Sequence, residues 1–278
     1  LAFMFAGLYA GSLCGSTLGG LLADRLGYQA SFTASCAALL AAAVLLHLFR
    51  PRGDWHASSA TRKEPSGGAL RFLGDSRMAA LFLFVVVPNA LITVCLCQFF
   101  VPLALDRGGV SPASIGRVFL FYSLIVMFAG PALGRAIDKS ASMVRPLACS
   151  MILAAASVAA LLFLDGMPGT LLCMAALAMS TSIASNGQGA YALSLPAAER
   201  FGRERTMGAY NVAMRAGQVL GPLSLGAMAS LWSAQAGLAA LSALALACGL
   251  IFPAFSSPGE RRGRTRRCPP MPPGGPGG

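Results

Sequence analysis

Eight stretches of this 278-residue chain run for about twenty residues each with almost no charge, the length an α-helix needs to cross the hydrocarbon core of a bilayer. They lie near 2–22, 30–49, 79–105, 113–133, 146–164, 168–193, 207–230 and 235–255. Apolar residues surround each segment on all sides instead of forming one stripe, as lipid contact requires. A membrane barrel is excluded, because its strands would alternate apolar and polar residues over about ten positions. Composition agrees: 56% of residues are hydrophobic, 11% are charged, and the mean hydropathy is +0.67. A soluble domain carries about 25% charged residues, so this chain could not cover its own surface in water. The sequence predicts an all-α membrane protein with eight transmembrane helices and the lipid bilayer as its main partner.

The net charge of +11 and a pI near 9.8 do not indicate a nucleic-acid partner. The tail after Phe255 holds five arginines and one Glu, and the remaining cations are spread among short connections rather than gathered on one face. The tail's Pro- and Gly-rich end is low-complexity and is expected to stay unfolded. Seven of the eight cysteines lie in apolar runs and only Cys268 lies in the tail. They read as small packing residues rather than a disulfide framework. Cys95 and Cys97 have no His, Asp or Glu near them in their run, so no metal site is expected, and no cofactor either. The chain opens on Leu1 inside an apolar run, without a signal peptide, and reads as the back part of a longer protein.

Lysine and arginine in the connections set the expected orientation. One set of alternate connections holds seventeen: Arg50, Arg52, Arg62, Lys63, Arg71, Arg77, Arg135, Lys139, Arg145, Arg200, Arg203, Arg205 and the five tail arginines. The other set holds only Arg25, Arg107 and Arg117. The rich set belongs in the cytoplasm, together with both ends of the chain. Residues 50–78 form a long polar connection after two spans and before six, where a domain boundary is expected. The division is then 1–49 for the first two helices, 50–78 for a cytoplasmic linker, 79–255 for a six-helix bundle and 256–278 for a cytoplasmic tail.

Two plus six is the pattern of a twelve-helix transporter without its first four helices, and local motifs point the same way. Gly11-Ser-Leu-Cys-Gly15-Ser16-Thr-Leu-Gly19-Gly20 resembles the G-x-x-x-G-P-x-x-G-G signature in the fifth helix of major facilitator superfamily antiporters. Glycines at this spacing let a neighbouring helix approach closely, and an ordinary packing face is the alternative reading. Ser16 stands where the family has Pro, so the resemblance does not imply strict drug/proton antiport. Gly20-Leu-Leu-Ala-Asp24-Arg25-Leu-Gly27 is similar to the superfamily's loop signature, here a degenerate copy on the outer side. Gly134-Arg135-Ala-Ile-Asp138-Lys139 resembles a second copy in a cytoplasmic connection. The resemblance implies a gate made of Gly134, Arg135, Asp138 and Lys139, with Asp138 near a helix N-terminus; a plain positive-inside turn is the alternative. The basic loop 202–205 followed by Gly217 and Gly221-Pro222 resembles the family's eleventh helix, with Gly217 and Gly221 as packing positions. A drug- or solute-efflux branch fits these motifs best.

Polar residues inside spans are costly and mark pathways. Asn211, Arg215, Gln218 and Pro222 are spaced by four, three and four, which puts them on one helical face. That face is expected to line a water-filled cavity, with Arg215 meeting an anionic substrate group, unless Arg215 snorkels to headgroups. Asn186, Gln188 and Tyr191 sit in a Ser- and Gly-rich span that belongs inside the bundle, where they contact substrate or bond to neighbouring helices. Pro88 should kink its helix, with Asn89 a candidate near the midplane and Gln98, pointing roughly opposite, a weaker one.

No Asp or Glu lies deep in any span, so a proton-coupling carboxylate is not supplied here. No nucleotide loop or nucleophile–base pair appears, which speaks against an enzyme. The expected function is secondary transport of a small-molecule substrate by alternating access, in a multi-pass protein of the plasma or inner membrane. The full-length form is expected to be a monomer. The rival is a non-transporting membrane sensor or anchor with the same fold.

Overall fold

The computed structural model describes residues 2–49, 74–140, 142–231 and 233–256. Every regular element among them is helical. Helix α1 runs Ala2–Leu48, with one non-helical residue, Gly27, at φ 83° and ψ 167°. In a straight helix, residues twelve apart are separated by about 18 Å along the axis. Ser31 Oγ nevertheless donates to the Gly19 carbonyl at 3.4 Å. The chain therefore doubles back at Gly27, and α1 is two arms rather than one rod. The sequence anticipates a connection over 23–29; the structure narrows it to the one residue that tolerates this backbone.

Ser76–Arg107 forms one continuous apolar rod. It is made of α2 (Ser76–Leu81), α3 (Val87–Val94) and α4 (Val101–Arg107), joined by widened π-helical turns at Phe82–Val86 and Cys95–Phe100. Asp75 caps the start, its carboxylate accepting from the backbone N–H of Arg77 and Met78. Each widened stretch ends just before a proline, Pro88 or Pro102. Proline has no N–H for the turn behind it, and the extra residue in a π turn absorbs that mismatch. The distortion anticipated at Pro88 is thus a wide turn ahead of it.

The remaining helices are α5 (Pro112–Lys139), α6 (Val144–Phe163), α7 (Gly166–Ser194), α8 (Pro196–Phe201), α9 (Arg203–Leu231) and α10 (Ala234–Ser256). Among the described residues, six helical stretches have the length and apolarity of a membrane span: Leu18–Leu48, which the break at Gly27 divides, the Ser76–Arg107 rod, Pro112–Ile137, α6, α7 and Gln235–Ser256. Helix α9 has the length, at 29 residues, and falls outside that set because it carries the Asn211–Arg215–Gln218 stripe. Two expectations change in detail. Residues 134–139 are not a connecting loop but the last turns of α5, and the basic connection 194–206 contains the short helix α8.

Packing runs from α1 to α5, from α5 to α7, from α7 to α6, from α6 to α10, and from α10 to α9 and the rod. The core is apolar, with Met78, Leu81, Leu147, Met151, Met174, Leu177 and Phe252 fully buried. No residue of the second arm of α1 is buried; Phe32 is 71% exposed and Leu46 76%. In water that surface would be untenable, whereas hydrocarbon is its natural solvent.

Candidate functional site

Two close helix crossings organise the site, and both depend on glycine. A side chain at Gly217 would collide with the Val87 carbonyl, and a Cβ at Gly221 would lie 2.6 Å from the Leu91 carbonyl. Helix α9 therefore lies directly on the backbone of α3. At the other crossing, a Cβ at Gly20 would sit 2.9 Å from the Pro112 carbonyl and 3.3 Å from Gly116 Cα, which brings α1 onto the start of α5. Gly19 is in ordinary contact with Ser31, and positions 11 and 15 face open space. Of the four α1 glycines singled out in the sequence, only Gly20 forms the crossing.

The seven polar candidates do not converge. Asn89 is buried at 6% exposure and donates from Nδ2 to Ser180 Oγ at 3.2 Å. Ser180 Oγ in turn donates to the Ser150 carbonyl at 2.7 Å, so the chain of bonds ties the rod to α7 and α6. Gln188, 4% exposed, accepts from Tyr210 Oη at 3.1 Å, joining α7 to α9. Its Nε2 is buried without a hydrogen-bond partner among the described residues. Tyr191 is buried with its ring edge-on to Phe252, centroids 6.0 Å apart. These three lie inside the packed bundle.

The other four lie nearer the surface. Asn186 Nδ2 donates to the Ser182 carbonyl at 2.7 Å and across to the Gly130 carbonyl of α5 at 3.2 Å. A Cβ at Gly134 would lie 3.3 Å from Asn186 Oδ1, so Gly134 serves this crossing of α5 and α7. Arg215 is exposed and donates from Nη1 to Gln218 Oε1 at 2.8 Å, one turn along the same face. Asn211 is exposed on that face and Gln218 is half-buried. The stripe read from spacing is therefore a real face, pre-ordered by an Arg–Gln hydrogen bond.

Arg135 and Lys139 are exposed near the end of α5. The backbone of residue 138 lies in the last turn of α5, not at the start of a helix, and the side chain of Asp138 lies outside the described residues. The dipole at that end of α5 is negative, so α5 itself does not supply the favourable N-terminus that the gate reading calls for.

A cavity of about 630 Å³ is lined by none of the seven. It opens between the arms of α1, the Arg107 half of the rod and the start of α5. Gly15, Gly19, Gly20 and Ala23 form its α1 wall, and Tyr28 and Ser31 come from just beyond the break. Gln98, Phe99, Pro102, Leu103 and Asp106 come from the rod, and Pro112, Ile115, Gly116 and Phe119 from α5. Gln98, which the sequence ranks below Asn89, is exposed to this space while Asn89 is buried. The signal that would have found the rod's wall is the four-residue spacing of Gln98, Pro102 and Asp106, which shares one face.

An all-helical membrane protein with close glycine crossings and a large cleft between helices has the makings of a polytopic carrier. The model of the Major Facilitator Superfamily matches residues 1–203, most of the chain, and the chain belongs to that family. The match spans α1 to α8 and ends where α9 begins, so the Arg215 face lies beyond it. No individual curated protein matches the chain well enough to add to this. The family is one of small-solute transporters and not of enzymes, and with its apolar helices the protein is integral to a membrane.

Proposed function

We propose that the protein is a secondary transporter that moves a small organic solute by alternating access. Family membership over residues 1–203 is the observation that carries this reading. Eight membrane spans are proposed, with α9 as the seventh and both ends of the chain in the cytoplasm; the seventeen-to-three cation asymmetry supports that orientation. In this reading the helices after the 50–78 linker form one six-helix half, and α1 belongs to the other. The cleft between α1 and the later helices supports this reading, since such transporters hold substrate between their halves. Efflux is the proposed direction, on the strength of the glycine motif at 11–20.

The polar face of α9 has a place in the same scheme. Arg215, held by Gln218 and flanked by Asn211, is proposed to meet solute or a facing helix during the cycle. Asn89, Gln188 and Tyr191 are buried and tie α7 to α3, α9 and α10 in turn. Arg135 and Lys139, with Asp138, are proposed as the cytoplasmic gate at the end of α5. Counterflow of candidate solutes in proteoliposomes carrying the full-length protein tests the function. Saturable exchange of at least one organic solute is expected. Its absence with correctly inserted protein would favour a non-transporting membrane module.

A further inference from the structure

We infer that the pocket between the start of the rod and α8 binds a phosphate group, gripped by Arg77 from one side and Arg200 from the other. Gly74, Asp75, Ser76 and Arg77 form one wall of this cavity of about 390 Å³, and Pro196 and Arg200 form the other. It lies at the end of two spans at once. The Ser76–Arg107 rod begins there, and α7 stops at Ser194, just before α8 starts at Pro196. At that depth hydrocarbon gives way to the headgroup layer. Four of the six lining residues, Asp75, Ser76, Arg77 and Arg200, carry polar or charged side chains and none is aromatic, so the pocket offers little to an apolar body.

Asp75 does not neutralise the two arginines. Its Oδ1 accepts from the backbone N–H of Arg77 and Met78 at 3.0 and 3.4 Å, as the cap of the rod, and among the described residues no ion pair joins its carboxylate to either guanidinium. Glu199, exposed on α8, is not part of the lining. Arg77 is half-buried, and among the described residues neither its side chain nor that of Arg200 has a hydrogen-bond partner. Two guanidinium forks on separate elements favour phosphate over carboxylate. A planar carboxylate fills one fork with its two oxygens, whereas a tetrahedral phosphate has oxygens for both. A bound phosphate would pin the first turn of the rod to the segment between α7 and α9, and this holds whether or not the protein transports. A lipid headgroup and a soluble phosphate share the chemistry, and the test separates them.

The probes are dihexanoyl phosphatidic acid, dihexanoylglycerol, which has the same chains without the phosphate, and inorganic phosphate. Each is titrated calorimetrically into the purified full-length protein in dodecyl maltoside and corrected against empty micelles. Phosphatidic acid should bind saturably and dihexanoylglycerol should not. Arg77→Gln and Arg200→Gln should each weaken that binding about fivefold, the scale of a partly exposed ion pair. Replacing both by lysine keeps the charges and loses the forks, so it should recover only part of the affinity. Arg145→Gln, at an exposed arginine in the first turn of α6, should leave binding unchanged. Inorganic phosphate that competes as strongly as the lipid identifies a soluble ligand, and competition only at far higher concentration identifies a headgroup; either result keeps the site. Three results would overturn the inference: no saturable binding of either phosphate probe, glutamine or double-lysine variants that bind like the parent, or an Arg145→Gln protein as impaired as Arg77→Gln.

Discussion

At the scale of single residues, glycines of one sequence type play opposite roles. Gly217 and Gly221 lie against the Val87 and Leu91 carbonyls, where added carbon has nowhere to go. Overpacking of this kind costs about 1–3 kcal/mol. Gly217→Ala should therefore lower the thermal midpoint in detergent by several degrees, and Gly221→Val by more. Gly11→Ala should leave it unchanged or raise it slightly, because that position faces open space and alanine favours the helix. Equal sensitivity at both places would show that the α9–α3 crossing is not as close as described. Arg215 makes a sharper test of function. Its bond to Gln218 at 2.8 Å uses one Nη1 donor and leaves the rest of the guanidinium fork free to grip a carboxylate or phosphate. Arg215→Lys keeps the charge and loses the fork. Transport by the full-length protein should fall at least tenfold with normal expression and insertion, and Arg215→Gln should do no better. A lysine variant with the parent's uptake would mean that the arginine merely snorkels to headgroups.

At the scale of elements, the sequence is most legible where one local rule decides. Apolar length alone identifies the rod, α5, α6, α7 and α10. The glycine at 27 is a different case. Spacing indicates a break near 23–29, yet only the backbone shows that one residue makes it, at φ 83°. Side chains other than hydrogen cost about 1–3 kcal/mol in that region. Gly27→Val should thus loosen the return of the second arm, read as faster proteolysis between the two arms in detergent, with the α3–α9 crossing unaffected. The end of α5 misleads in the opposite way. Gly134, Arg135 and Lys139 look like a turn because they are small or charged, but a helix can run past the hydrocarbon into headgroups and present charges there. Composition marks where lipid ends, not where the helix does. The cavity was the least legible feature. Tyr28, Phe99, Asp106 and Phe119 meet only because Gly20 lets α1 settle on α5. Such a meeting depends on contacts across almost a hundred residues of chain, beyond the reach of periodicity.

At the scale of the whole molecule, the proposed topology turns local charge into global orientation, and α6 offers the cleanest check. It is one 20-residue helix, Val144–Phe163, with Ser140 exposed before it and Asp165 exposed after it. A straight helix of that length rises about 30 Å, the thickness of the hydrocarbon core. If α6 crosses the membrane, these two positions must face opposite compartments whatever the other helices do. The cation count assigns Ser140 to the cytoplasm, beside Arg135, Lys139 and Arg145, and Asp165 to the outside. In a full-length protein stripped of native cysteines, Asp165→Cys should react with a membrane-impermeant maleimide in intact cells. Ser140→Cys should react only after permeabilisation. The same pattern reversed would keep every span and invert the molecule, placing the mouth near Asp106 in the cytoplasm. Labelling of both from one side would remove α6 from the set of spans, and the six-helix half with it.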